Sequence, residues 1–360
     1  MTLPFAAPAL WCLLAAVLFG ASTPVARVLL DGFGPLWLAA LFYLGAALGT
    51  APWALTGHAG EARRKEDRLR LGGAVLAGGV VGPVLVFWGL SLAPAASVAL
   101  WLNLEAPATA LLAWAFFREQ VDRRTLIAAG LVWLASVILA APEGFAGAPA
   151  ALLVLGGCFA WGLDNNLSAL IAGYTPAQTT FVKGLGAGLV NAALALWHHG
   201  PPPLGPPVLL ALVVGVFAYG ASIVLYVAGA QQLGATRAQM IFATAPFWGL
   251  ALAWLGLGEA VLPAQLVAGA TMFIALVVLF SERHAHHHSH EPERHTHWHR
   301  HDDGHHEHPH AGVPRWGWHI HEHEHVVLNH EHPHRPDLHH RHGHSQAPTV
   351  PTAHKMPDRG

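Results

Sequence analysis

Apolar residues in this chain come in runs of about 20, the length a helix needs to cross a bilayer, and Pro, Gly and charge clusters cut the runs apart. Ten such segments are predicted as helices: 8–30, 34–55, 71–92, 95–117, 125–141, 149–172, 177–198, 208–230, 238–257 and 263–280. Connections such as Ala93-Pro94 are so short that consecutive helices must run antiparallel. No basic residue precedes the first run, so it reads as a span rather than a cleaved signal ending near Ala21.

Composition agrees, with 53% of the 360 residues hydrophobic and only 11% charged, where a soluble protein carries about a quarter charged. The formal net charge of -2 comes without a basic stripe, so a nucleic-acid partner is excluded. Cys12 and Cys158 both lie in apolar runs, leaving no disulfide framework and no thiolate metal cluster. Positive charge has a side. Arg63, Arg64, Lys65, Arg68 and Arg70 fall between the second and third segments, and Arg118, Arg123 and Arg124 between the fourth and fifth, while Arg237 and Arg283 join them by parity. The opposite loops, around Asp31, Pro94, Glu143, Pro201 and Glu259, hold no Lys or Arg. Because Lys and Arg in short loops stay cytoplasmic, the expected location is a bacterial inner membrane, crossed many times, with both termini cytoplasmic.

A weak repeat recurs at an offset of about 140 residues. Phe19-Gly20 followed by Pro35 is echoed by Trp161-Gly162 followed by Pro176, and Glu105-Ala106-Pro107 with Trp114 and Glu119 by Thr244-Ala245-Pro246 with Trp254 and Glu259. The division is 1–141 for the first repeat, 142–281 for the second and 282–360 for a tail. Five helices per unit is an odd number, so the second copy must insert upside down, as in transporters that alternate access to a midplane site. The expected fold is an all-α polytopic membrane protein: ten transmembrane helices as two inverted five-helix repeats, then a disordered His-rich tail.

These paired motifs, with Cys158-Phe159-Ala160-Trp161-Gly162-Leu163-Asp164-Asn165-Asn166 and Tyr219-Gly220-Ala221-Ser222, resemble the EamA branch of the drug/metabolite transporter superfamily over about residues 8 to 281. The resemblance implies the ten-helix duplicated plan. It leaves the solute open, since that superfamily carries amino acids, sugars, drugs and other metabolites.

Ionisable groups inside spans are costly and mark candidate pathways. Glu105 sits mid-span before Ala106-Pro107, where the proline removes a backbone bond; a carboxyl there suits proton coupling or cation binding, or is held by Trp101, Asn103 or a backbone donor. Asp164 and Lys183 lie at similar depth on neighbouring segments and can pair, whether as a structural pair or as a solute site. Asn165 and Asn166 add amides beside Asp164, with Asn191 farther along the seventh segment. Arg27, near the end of the first span, suits an interfacial anchor or a clamp for a solute carboxylate. Trp101, Trp114, Trp161, Trp248 and Trp254 are packing, belt or cavity residues. With no GxSxG, no HExxH and no P-loop, neither an enzyme nor a nucleotide-driven pump is expected.

Only His58, His198 and His199 of the 28 histidines precede residue 281. The tail that holds the others cannot bury enough surface to fold alone. Its candidate ligands are His286, His287, His288, His319, His321, His323, His325, His330, His332 and His334, spaced so that several neutral imidazoles can reach one Zn, Ni, Co or Cu ion. No cofactor is required. The expected function is proton-coupled export of a small metabolite or amino-acid-like solute. Two alternatives stand beside it: efflux of a divalent transition metal or a metal-chelating metabolite, and a membrane-anchored metal buffer or sensor. The expected partners are lipid, a small solute, transition-metal ions and a second copy in a homodimer.

Overall fold

The computed structural model describes residues 6–56, 64–117, 123–140, 147–202 and 205–280, with four short segments of the tail. Helix α1 (Ala6–Gly20) leads into α2 (Ser22–Thr56), a long helix bent at Gly34. Gly34 has φ 68, a left-handed value that a residue without Cβ adopts freely. Pro35 follows with its φ preset for the new helical direction. The predicted gap between the first two segments is therefore this bend.

Helices α3 (Lys65–Leu92), α4 (Ala95–Phe117), α7 (Pro176–His199), α8 (Pro206–Leu233) and α9 (Ala235–Gly256) are, with the bent α1–α2 stretch, long and apolar enough to cross a membrane, six candidates among the described residues. The predicted segments 125–141, 149–172 and 263–280 are also helical, as α5 (Arg123–Ala140), α6 (Ala148–Ala169) and α10 (Pro263–Phe280). Thr175 starts α7 with a reciprocal cap to Gln178 and Pro176 in the first turn. Glu259 closes the opposite end by accepting from the backbone amides of Ala95 and Ala96 at 3.1 and 3.0 Å, where α4 has unpaired amides to offer.

Two helices widen into π turns, at Val75–Val81 in α3 and Gly215–Ala221 in α8, 140 residues apart. A π turn lengthens the backbone bonds to i−5 and turns carbonyls aside. In α3 those carbonyls have side-chain donors: Gly78 O accepts from Tyr43 Oη at 2.6 Å and Trp161 Nε1 at 2.9 Å, and Gly79 O from Asn191 Nδ2 at 2.9 Å. The bend thus draws α2, α6 and α7 around α3.

The core lies where α2 meets α7 and α8. Side chains at Gly45 and Gly215 would collide with the backbones of α8 and α2 respectively, so glycine here sets how closely the two helices approach. Large apolar side chains elsewhere face outward, among them Leu55, Trp197 and Leu255, as lipid-facing positions would.

The tail corrects one expectation. Its described residues are not without regular structure but form β1 (Ala285–His290) paired antiparallel with β4 (Leu328–Pro333), and β2 (Arg294–His299) paired with β3 (His319–Glu324). Low apolar content prevents a packed core but does not prevent strand pairing, and runs such as His319-Ile320-His321-Glu322 alternate with a strand's period of two. Two-stranded ribbons of this kind are marginal alone. His325 and His334 lie outside the described residues.

Candidate functional site

Sequence and packing bring the polar residues of four helices to one place. Near the middle of α4 the helix tightens through Leu102–Leu104, and Glu105 follows, 5% exposed. Its Oε1 accepts from Asn165 Nδ2 of α6 at 2.7 Å. The same amide nitrogen lies 3.2 Å from Thr109 Oγ1 and 3.0 Å from Gln239 Oε1, which ties α4, α6 and α9 together. Neither Trp101 nor Asn103 is the partner that the sequence offered: Asn103 Nδ2 instead faces Met272 Sδ at 2.9 Å.

Directly before Asn165 on α6, Asp164 forms with Lys183 the ion pair that their depth in the sequence suggested. Lys183 Nζ donates to Asp164 Oδ1 at 2.6 Å and Oδ2 at 2.5 Å, and Ser168 Oγ donates to Asp164 Oδ1 at 2.8 Å. Both side chains are buried, at 3% and 9% exposure. Gly78 of the α3 π turn packs directly on this pair, since a Cβ there would overlap the Asp164 carboxylate.

Glu105, Asp164, Asn165 and Lys183 share a cavity with Ser168 and Gln239, with about 480 Å³ not filled by atoms, its mouth included. Aromatic rings line much of the remainder. Phe19 packs against Trp161, Tyr219 and Phe242 with centroids 5.6, 5.4 and 5.2 Å away, and Tyr43 against Tyr219 at 5.2 Å. Glu105, Gln239, Phe19 and Phe242 also border another, smaller pocket, with about 290 Å³ not filled by atoms, its mouth included, reaching Thr23 and Pro246. Glu105 therefore stands between two spaces.

Other predicted residues lie elsewhere. Asn166 donates to Thr109 O at 3.0 Å and Gly162 O at 2.8 Å, holding α6 to α4 without lining the cavity. Arg27 is not brought to the cavity; it pairs with Asp31 on its own helix at 3.2 Å, with 37% of its side chain exposed. The reason is its turn: Arg27 falls on an outward face of α2, between buried Ala26 and exposed Val28. Of the five tryptophans, only Trp161 lines the cavity beside Glu105; Trp114 and Trp248 are exposed, and Trp254 donates to Gln265 Oε1 at 3.1 Å. The sequence missed Gln239 and Tyr43. A lone amide at the edge of an apolar run was the available signal for Gln239, while nothing in the chain marks Tyr43, whose role follows from the π turn it caps.

The profile of the EamA-like transporter family matches twice, over residues 6–141 and again over 148–281. The chain belongs to the EamA-like transporter family. This EamA-like protein is thus a multi-pass membrane transporter of small solutes, not an enzyme. It is similar to an uncharacterized transporter of Methanothermobacter thermautotrophicus, 25% identical over 290 residues that cover 74% of this chain and 84% of the relative. A solved crystal structure shares its fold with a TM-score of 0.59 at 21% identity, over 76% of this chain and 98% of the other.

Proposed function

We propose that this EamA-like protein is a secondary transporter that exports a small metabolite or amino-acid-like solute across a bacterial inner membrane in exchange for protons. In this reading ten spans form two inverted halves, with both termini in the cytoplasm. The family match in two copies and the π turns 140 residues apart support the duplication, and the one-sided Lys and Arg support the orientation. One observation carries the mechanism. Glu105 is buried between two pockets and held by a neutral amide rather than a cation, so its carboxylate can take a proton or a solute group in turn. Purified protein in liposomes under an imposed pH gradient tests this. Glu105→Gln is expected to fold and to lose proton-dependent flux; a variant with normal pH dependence refutes the assignment.

A second reading concerns the tail, which we assign to capturing Zn, Ni, Co or Cu. The register supports it: His286 stands opposite His332 and His288 opposite His330, while His295, His297 and His299 stand opposite His323, His321 and His319. Opposed positions on paired strands are close neighbours, and imidazole suits these ions. On this reading the cargo is a divalent metal or a metal-chelating metabolite, or the protein buffers or senses metal without moving it. Removing residues 284–360 is expected to lower the metal tolerance of cells; unchanged tolerance overturns the assignment. Metal flux into liposomes separates efflux from buffering.

A further inference from the structure

We infer that the solute is a small organic monocation, an amine or quaternary ammonium without a free carboxylate, that exchanges with a proton at Glu105. The inference rests on the transport reading above and narrows its solute to one chemical class.

The argument is a count of charge in a buried space. Lys183 is the cation lining the cavity, and it is already matched, with its ammonium on both oxygens of Asp164 and 3.5 Å from Ser168 Oγ. A solute carboxylate could use Lys183 only by displacing Asp164, stranding a buried charge. Glu105 has no such partner. Its bond from Asn165 comes from a neutral amide, and the other titratable groups around it among the described residues are Cys158 and Asp164 of α6, Tyr43 of α2 and Tyr219 and Tyr226 of α8, with Lys183 the single base among them. Once Glu105 ionises, the described residues of the cavity therefore carry one surplus negative charge on a carboxylate only 5% exposed, which must be neutralised. A proton does this, and so does one ammonium group. The two exclude each other, so each cation that arrives displaces one proton and charge is conserved.

The walls favour the same solute. Phe19, Tyr43, Trp161, Tyr219, Tyr226 and Phe242 line the cavity that Glu105 borders, and ring faces attract ammonium groups while offering nothing to an anion. A zwitterionic amino acid would place its ammonium well and its carboxylate badly. A single carboxylate beyond the self-neutralised pair is also a poor site for a divalent metal, which takes several ligands.

Choline and glycine betaine make the decisive probes, because both carry the trimethylammonium group and only betaine has a carboxylate. Neither crosses a bilayer as a neutral base. The full-length protein is reconstituted in liposomes with an acidic lumen, and uptake of each labelled probe is followed with and without the gradient. Uptake of choline is expected to exceed that of betaine by about tenfold or more, driven by the gradient. In detergent, the wild-type protein is expected to bind choline more weakly as pH falls, a result that needs no variant to fold. Glu105→Gln should lose both binding and gradient dependence. Betaine carried as well as choline, or choline affinity indifferent to pH, overturns the inference. If an anionic or neutral solute moves and choline does not, the inference falls while the transport reading stands. If no solute of any class moves, both fall.

Discussion

Breaking the Asp164–Lys183 pair from one side should harm the protein far more than removing it altogether. In Lys183→Met the carboxylate keeps its hydrogen bond from Ser168 but loses its counter-ion at a position only 9% exposed. In Asp164→Asn the ammonium, 3% exposed, keeps only neutral acceptors. A buried charge left alone costs about 3–5 kcal/mol, whereas a neutral replacement of similar volume for the whole pair is often harmless. Each single variant is therefore expected to lose about 3–5 kcal/mol of unfolding free energy, and the double variant about 0–1 kcal/mol. Reversible unfolding in mixed detergent micelles, titrated with a denaturing surfactant, measures all three. The transport assay adds a second axis. If the pair is self-neutralising, the double variant also keeps choline uptake, at reduced rate. A double variant as unstable as the sum of the singles would show that the two charges do not compensate each other. A stable double variant without uptake would return Lys183 or Asp164 to the solute.

Two further outcomes follow from the packing. Gly78→Ala should cost at least about 1–3 kcal/mol, because its Cβ falls on a carboxylate pinned by Lys183 and Ser168; Gly72→Ala in the same helix has open space and should be neutral or stabilising by up to about 1 kcal/mol, and equal melting temperatures for the two would contradict the contact. Arg27→Ala should change stability by less than about 1 kcal/mol and leave transport intact, since its partner Asp31 is an exposed neighbour on the same helix; loss of flux would place Arg27 on the pathway after all.

Much of this architecture is written locally. Run length and the breaks between runs identify apolar helices because each depends only on nearby residues. The ionisable residues stood out for the same reason: Glu105, Asp164 and Lys183 are conspicuous in apolar surroundings. The pairing of Asp164 with Lys183 was legible from their similar depth, but the surroundings of Glu105 were not. Asn165 meets Glu105 across 60 positions and Gln239 across 74, distances that only helix packing closes. The aromatic walls, the π-turn carbonyls that hold Tyr43 and Trp161, and the outward placing of Arg27 depend on helix rotation. A run of apolar residues constrains that rotation weakly, because the lipid-facing and core-facing sides are equally apolar. The chain alone thus determined which residues are expensive to bury and that Asp164 and Lys183 lie at similar depth; the tertiary structure decided that these two meet directly and that Glu105 is held by the neutral amide of Asn165.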